Sequence, residues 1–390
     1  MKSLELFAGA GGLSLGIAQA GFDRELVIEI NADACKTLRL NQQKLFPHAI
    51  NPIYCGDVKS YNFSRIAAEI DLLAGGPPCQ PFSNGGKHKG NSDRRDLFPQ
   101  FIRALRELKP KAILIENVKG LLRKSFADYF NYLILQLTYP EFTIETDETW
   151  LEHFHRLQNY RIKGRKEGLA YQVSFRLLNA ADYGIPQKRE RVFIIGFRSD
   201  LNLKPLFPAP THSQESLFYS KWVTEEYWLK HQMKKPEPSP KLASKIGKMQ
   251  SLLFPPEAQR WLTVRDAIRD LPDPTLGEVD SIPNHLFVAG AKSYPGHTGS
   301  PLDEPAKTIK AGVHGVPGGE NMMIIDGGKV RYFTVREAAR LQTFPDSYLF
   351  EGSWTGIMRQ LGNAVPVSLS KLLARQIQSS LKTVKAVEHF

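Results

Sequence analysis

The sequence predicts an α/β fold: a doubly wound mixed sheet joined to a second, smaller and loop-rich domain. Three observations predict it. Short apolar runs near residues 3–7, 26–30, 51–55, 70–74 and 112–116 alternate with helical patterns such as 97–108 and 127–137. That order suits a parallel sheet, in which every return needs a crossover. The first run enters a glycine-rich turn and then an amphipathic helix reaching about Ala20. Composition then shifts near residue 199, where prolines begin to cluster (Pro205, Pro208, Pro210; Pro236, Pro238, Pro240) and periodicity stays poor to about residue 330.

Taken in order, the first turn carries Gly9, Gly11 and Gly12. Their small size lets backbone amides at a helix start approach a carboxylate or phosphate, although the same glycines also serve tight strand-to-helix packing. The second run ends in Glu29-Ile30-Asn31 and the third runs into Gly56-Asp57-Val58. Acids at the carboxyl ends of successive parallel strands meet at one sheet edge, where ligands of such folds bind. Their spacing suits an adenosine, with Glu29 accepting from ribose hydroxyls and Asp57 from an exocyclic amine. Spacing alone reads each equally well as a solvated loop acid.

The fourth run leads into GGPPCQPFS, residues 75–83. Prolines on both sides of Cys79 fix φ and remove donors, which sets the thiol on a stiff turn at a strand end, as a nucleophile needs. An inert buried cysteine is the alternative. The stretch that follows, with Ser83, Asn84 and Lys87 among its glycines, is polar, hinged and basic, as a closing loop would be. The fifth run ends at Glu116-Asn117-Val118, where desolvation favours a proton held on the carboxyl; Glu116 could also cap the next helix.

Further on, strand alternation places Gln187, Arg189 and Arg191 on one face, away from Lys188 and Glu190. Runs at 172–178 and 192–197 come without a long helix between them and form the antiparallel end of the sheet. Residues 153–166, with Arg156, Arg161, Lys163, Arg165 and Lys166, read as an exposed basic insertion. Residues 364–377 read as a long helix packing back on the first domain, so that the chain ends meet.

At 390 residues and 42% hydrophobic, the chain can bury a large core in two domains. A net charge of +11 points to a polyanion, nucleic acid first. No signal peptide or membrane-spanning run is apparent, and three cysteines in so long a chain imply a reducing cytoplasm without a disulfide framework. Cys35 and Cys55 read as buried packing residues. No Cys/His pair has metal spacing, so no metal is expected.

Seven segments in order, FAGAGGLSLG (7–16), GDV (56–58), GGPPCQPFS (75–83), ENV (116–118), QKRERVFIIG (187–196), FTVREAARLQTFP (333–345) and RQLGNAVPVSLS (359–370), resemble the DNA (cytosine-5) methyltransferases of bacterial type II restriction-modification systems. The resemblance spans nearly the whole chain. It implies a Rossmann-like methyltransferase sheet, S-adenosylmethionine as cofactor and double-stranded DNA as partner. It also implies a catalytic and cofactor domain at 1–198, a target recognition domain at 199–330 and a C-terminal return at 331–390. A cytoplasmic, nucleoid-associated monomer paired with a restriction endonuclease completes the expectation.

By the same resemblance Cys79 is the thiolate that adds to carbon 6 of cytosine and Glu116 serves ring nitrogen 3. Arg191 holds the base carbonyl, Arg189 orients the thiol or a phosphate, and Gln187 supports them. Phe7 stacks on the adenine above the loop of Gly9, Gly11 and Gly12; Glu29 takes the ribose and Asp57 the amine. Ile30 and Val58 pad the ring, Pro78 and Leu97 border the pocket, and Asn363 with Val365 completes it. Asn31 stands where the family usually has Asp. Ser83, Asn84, Lys87 and Thr308 meet DNA, Thr308 beside the phosphate of a flipped nucleotide, and Lys292, Lys310, His314 and Asn321 are candidate base readers.

The chemistry asks for the same residue types, because carbon 5 of cytosine becomes nucleophilic only after a thiolate adds at carbon 6 and the base has left its stack. A transfer RNA substrate and a non-catalytic DNA binder remain alternatives, the sizeable 199–330 segment speaking against the first. An amino-methyltransferase is excluded, since it needs a polar residue before Pro-Pro, where Gly76 stands.

Overall fold

The computed structural model describes residues 1–45, 53–78, 96–164, 168–251, 254–276, 282–295, 298–311 and 321–387. The chain divides into two compact units. Met1–Leu178, Glu190–Pro208 and Ser347–Phe390 make unit 1, and Asn179–Arg189 with Ala209–Asp346 make unit 2.

Unit 1 is built on a seven-stranded sheet. In chain order its strands are β1 (Lys2–Leu6), β2 (Asp23–Glu29), β3 (Ile53–Cys55), β4 (Leu72–Gly75), β5 (Ala112–Val118), β6 (Tyr171–Asn179) and β7 (Glu190–Arg198). Their order across the sheet is β3-β2-β1-β4-β5-β7-β6. The first five pair in parallel, and β7 runs antiparallel to β5. That is the mixed, doubly wound arrangement expected from the alternating apolar runs. Leu4, Leu72, Leu73, Ile113, Leu114 and Ile115 are all 0% exposed, and each such side chain contributes about 1.5–3 kcal/mol by leaving water.

Five helices accompany these strands: α1 (Gly12–Gln19), α2 (Ala32–Leu45), α3 (Phe98–Leu108), α4 (Ala127–Thr138) and α5 (Trp150–Ile162). The last of them corrects the expected basic insertion at 153–166. Thr149 and Glu152 form a capping box that starts the helix, and His153, Phe154 and Leu157 are buried along one side of it. His153 hydrogen-bonds the Tyr132 hydroxyl at 2.8 Å and the Phe142 carbonyl at 2.9 Å. Arg156 pairs with Glu145 and Glu148 rather than standing free. Apolar residues at i, i+1 and i+4 were masked by the charges between them.

Cys55 is a second correction. It is exposed, whereas Cys35 is buried; Cys55 ends the sheet's edge strand, which has a neighbour on one side alone.

In unit 2 the strands are only two or three residues long: β8 (His212–Ser213), β9 (Gln259–Arg260), β10 (Ser300–Pro301), β11 (Met322–Ile324) and β12 (Val330–Tyr332). Helices α6 (Gln214–Trp222), α7 (Glu226–Lys230), α8 (Pro240–Gln250), α9 (Val264–Ile268) and α10 (Val335–Leu341) supply more order than the proline clusters indicate. A small core of Leu217, Tyr227, Trp228, Trp261 and Ala181 sits among them. Around it the unit is tied by buried acids. Asp266, its side chain 5% exposed, accepts from both Arg260 Nη1 (2.7 Å) and Nη2 (2.8 Å), and also from the Thr263 amide and Lys230. Glu337 takes a bidentate Arg331 at 2.7 and 2.6 Å and caps α10 with Thr334.

The chain then returns to unit 1 through α11 (Trp354–Asn363) and α12 (Val367–Val387). The long helix expected at 364–377 is therefore placed slightly later, starting after Pro366. It packs against α1, and a Cβ at Gly16 would lie 2.4 Å from the Ser370 Cβ, so only glycine admits this approach.

Candidate active site

Three strand ends of unit 1 are joined by hydrogen bonds through one residue, Glu29. Its side chain is 8% exposed. Oε2 accepts from the Gly9 amide and Oε1 from the Asn31 amide, each at 2.7 Å, while its backbone carbonyl accepts from the Gly56 amide at 2.9 Å. The carboxylate thus braces the turn after β1 and the residue after β3 lies against the end of β2. Asn31 caps α2 by accepting from the Ala34 amide at 2.9 Å.

The turn itself is strained in the direction that exposes backbone. Phe7 has φ 60, Gly9 φ 55 and Gly11 φ 81; positive φ is uncommon for a bulky residue such as Phe7. A Cβ at Gly9 would meet nothing within 4 Å, so the space beyond it is open. At Gly11 a Cβ would collide with Leu38 (2.6 Å) and the Tyr348 hydroxyl (2.9 Å), and Gly12 is buried as the first residue of α1. Ile30, next to Glu29, is 68% exposed, a large apolar side chain left to solvent at a sheet edge. Asp57 is half-buried and accepts from the Lys59 amide, and Val58 is buried in the sheet's core.

The second group lies on β5 and β7, beyond β4 in the sheet. Glu116, 8% exposed, has Oε1 3.0 Å from Arg191 Nε. The contact is an ion pair whose alignment falls short of a hydrogen bond, and Oε1 has no hydrogen-bond partner among the described residues. The antiparallel register of β5 and β7, with Val118 opposite Arg191, brings the two together. Beside them, the Asn117 amide donates to the Pro77 carbonyl at 3.0 Å, and a Cβ at Gly76 would sit 3.4 Å from Glu116 Oε2. The Leu97 amide, just before α3, donates to the Pro78 carbonyl at 3.4 Å. The segment that enters residue 79 is therefore fixed against the end of β5. Cys79, Ser83, Asn84, Lys87 and His314 lie outside the described residues.

In unit 2, Gln187 and Arg189 are 0% and 1% exposed. Gln187 Oε1 accepts from the Ile309 amide (3.1 Å) and its Nε2 donates to the Leu341 carbonyl (3.3 Å). Arg189 donates to the Ile309 carbonyl at 3.2 Å, and the Thr308 hydroxyl donates to the Lys188 carbonyl at 2.7 Å. The alternation read from sequence is visible in burial, since Glu190 between them is exposed. Asn321 is corrected as a base reader: it is 0% exposed and spent on the Lys310 amide and carbonyl. Lys292 and Lys310 are exposed. In unit 1, Asn363 is exposed at the end of α11 and Val365 is buried.

Sequence reasoning missed two groups. Asn117 is one, visible only as the middle of a short motif. The other is a buried polar cluster beneath the glycine turn: Glu5 on β1, Arg24 on β2 and Tyr348, whose hydroxyl donates to the Ala10 carbonyl at 2.6 Å. Burial pushes Glu5 up to about 8, against the pull of Ser14 and Arg24. An acid inside an otherwise apolar strand was the available signal. Among the described residues no cluster of His, Cys, Asp or Glu could hold a metal, and no helix is long and apolar enough to cross a membrane.

A mixed sheet with a braced glycine turn at one set of strand ends, and a carboxyl paired with a guanidinium at the next, defines a nucleotide-handling α/β enzyme. The model of the C-5 cytosine-specific DNA methylase family matches residues 1–379, and the chain belongs to that family. It is similar to the type II methyltransferase M.Eco47II of Escherichia coli, at 34% identity over 96% of this chain and 78% of that one. It is also similar to the type II methyltransferase M.NgoMIV of Neisseria gonorrhoeae, at 31% identity over 97% and 98%. The crystal structure of S. pombe Dnmt2 methyltransferase shares the fold, with a TM-score of 0.56, 20% identity and coverage of 98% and 99%. The chain is accordingly a DNA cytosine-5 methyltransferase.

Proposed function

We propose that the enzyme moves a methyl group from S-adenosylmethionine to carbon 5 of a cytosine rotated out of a specific duplex site, through a transient bond to Cys79. The observation that carries this reading is the Asn117-to-Pro77 hydrogen bond, which starts the Cys79 segment beside Glu116 and Arg191. Addition of the Cys79 thiolate to carbon 6 forms a carbon–sulfur bond and drives an electron pair toward carbon 5. Glu116 gives a proton to ring nitrogen 3, and Arg191 hydrogen-bonds the carbonyl oxygen of the base. Once carbon 5 carries the methyl group, loss of its proton to water re-forms the carbon 5–carbon 6 double bond and expels the thiolate, while the ring nitrogen 3 proton returns to Glu116.

S-adenosylmethionine, when bound, supplies an electrophilic methyl carbon on a positively charged sulfur. The residues of unit 1 fit it: Glu29 offers a fixed carboxylate for a diol, Ile30 an exposed apolar face, Asp57 an acceptor for an amine, and Gly9 open space at the turn. Phe7, Gly11, Gly12, Val58, Pro78, Leu97, Asn363 and Val365 would line the remainder. For DNA, Ser83, Asn84 and Lys87 would close over the displaced base, whose unstacking costs about a few kcal/mol. Gln187 and Arg189, both buried, would serve as support, and Thr308 would stand beside a backbone phosphate. We assign target recognition to residues 199–330, catalysis to 1–198 with 331–390, and the biological role to protection of DNA from a cognate endonuclease.

A duplex carrying 5-fluorocytosine at the target tests the covalent route. The fluorine blocks the final elimination, so the enzyme with donor should form a complex that survives denaturing electrophoresis, and Cys79→Ala should form none. An enzyme that methylates ordinary DNA yet never traps the fluorinated duplex would remove Cys79 from the chemistry. Bisulfite sequencing of a plasmid exposed to the enzyme identifies the cytosine and its flanks.

A further inference from the structure

We propose that α8 is a phosphate-tracking ridge, which gives the enzyme affinity for duplex DNA of any sequence; the inference rests on the DNA reading above and extends it. Its sequence, PKLASKIGKMQ, holds three lysines and no acid. At about 100° and 1.5 Å per residue, Lys241, Lys245 and Lys248 fall within roughly 60° of the helix circumference and span about 10 Å of its length. All three are exposed, whereas Leu242, Ile246 and Met249, centred about 100° further round the helix, are half-buried. The helix buries no side chain completely, and Lys245 Nζ rides 4.3 Å above the Phe218 ring of α6. Ser239 caps it, and Pro240 follows Pro236 and Pro238 into its first turn, so the ridge is stiff at its entry.

Several other cations of unit 2 are paired with acids. Lys188 and Lys221 share Glu304, Lys230 pairs with Asp266 and Lys235 with Glu225. Arg260, Arg265, Arg331 and Arg340 each hold a carboxylate. Lys241, Lys245 and Lys248 hold none among the described residues, and like charges at i, i+4 repel one another along the helix. A row of phosphates relieves that repulsion. One DNA strand rises about 3.4 Å per phosphate, so about 10 Å of helix faces about three of them. The lysine face carries no apolar residue, and a protein partner would need an apolar centre to dock upon. Backbone phosphates need none.

The test measures binding of the full chain to a duplex lacking the target site, between about 50 and 200 mM salt. The triple variant Lys241→Gln, Lys245→Gln, Lys248→Gln should lower the slope of log affinity against log salt by about two to three, each phosphate contact being worth roughly 0.9. Lys→Arg at the same three positions should restore it. Removing equal charge from unit 1 with Lys36→Gln, Lys204→Gln and Lys382→Gln should shift the slope by less than about one. A Gln triple variant that melts like the parent and keeps the parent slope overturns the ridge while leaving the methyltransferase reading intact. A parent enzyme that methylates no DNA and binds no duplex overturns both.

Discussion

The two units are held together by opposite means. Unit 1 depends on apolar strands whose polar ends gather at one edge of a sheet, where a single residue, Glu29, joins three strand ends through its carboxylate and its backbone carbonyl. Unit 2 has strands of two or three residues and a modest aromatic core; the buried acids Asp266 and Glu337 and the half-buried Asp303 clasp its arginines. The difference teaches where each is vulnerable. A hydrophobic sheet tolerates polar change at its edge, and there function suffers first. A unit clasped by buried acids fails structurally when one acid loses its charge.

Asp266→Asn sharpens that contrast most. Removing one partner from a buried pair costs about 3–5 kcal/mol, so unit 2 should unfold early in urea. Fluorescence of Trp222, Trp228 and Trp261 would report it while circular dichroism from the sheet persists. A single transition displaced as a whole would show instead that the units share their stability.

Acidity separates the units by sign. Burial would push Asp266 up, but Arg260, the Thr263 amide and Lys230 hold it well below the carboxylate range. Its contribution is present above the unfolded value of 3.8 and is lost as pH falls toward the lower folded one. Glu5 runs the other way. With a folded value of about 8 against 4.5 unfolded, it binds a proton in the fold that the unfolded chain releases, so unit 1 weakens as pH rises between those values. Melting temperatures across pH 3–9 should lose the alkaline slope in Glu5→Gln and the acid slope in Asp266→Asn. Parallel profiles for both variants and parent would break the distinction.

Glu29→Gln should weaken S-adenosylmethionine binding by about tenfold to a hundredfold in calorimetry, the worth of a charged hydrogen bond, with the melting temperature little changed. Equal affinity in variant and parent would move the donor away from β2. Smallest in effect, Asn31→Ala should cost about 1 kcal/mol of stability by uncapping α2, and Asn31→Asp should restore it; no loss would mean that the Ala34 amide finds another acceptor.

Much of unit 1 was legible because strand periodicity and topology leave few choices. Apolar runs set β1 to β5, and parallel pairing forces Glu29, Asp57 and Glu116 to the same side of the sheet. What escaped were links made by backbone atoms, such as Glu29 to Gly9 or Asn117 to Pro77, since no pattern of side chains announces which amide a carboxylate will meet. Helix α5 was hidden because His153, Phe154 and Leu157 are too few to outweigh five cations nearby. Cys55 was misplaced because a sequence does not say which strand will be outermost. In unit 2 prolines obscured the helices at 214–250, and Asn321 looked like a base reader because an amide that serves its own backbone is indistinguishable, in sequence, from one that faces solvent.

The Tyr348 hydroxyl supports the Ala10 carbonyl across 338 positions of sequence. At about 5–20 residues per second on the ribosome, the glycine turn emerges roughly 20–70 s before the tyrosine that props it. The turn therefore gains this support only once residue 348 has been made, so its prop is among the later contacts a growing chain can form.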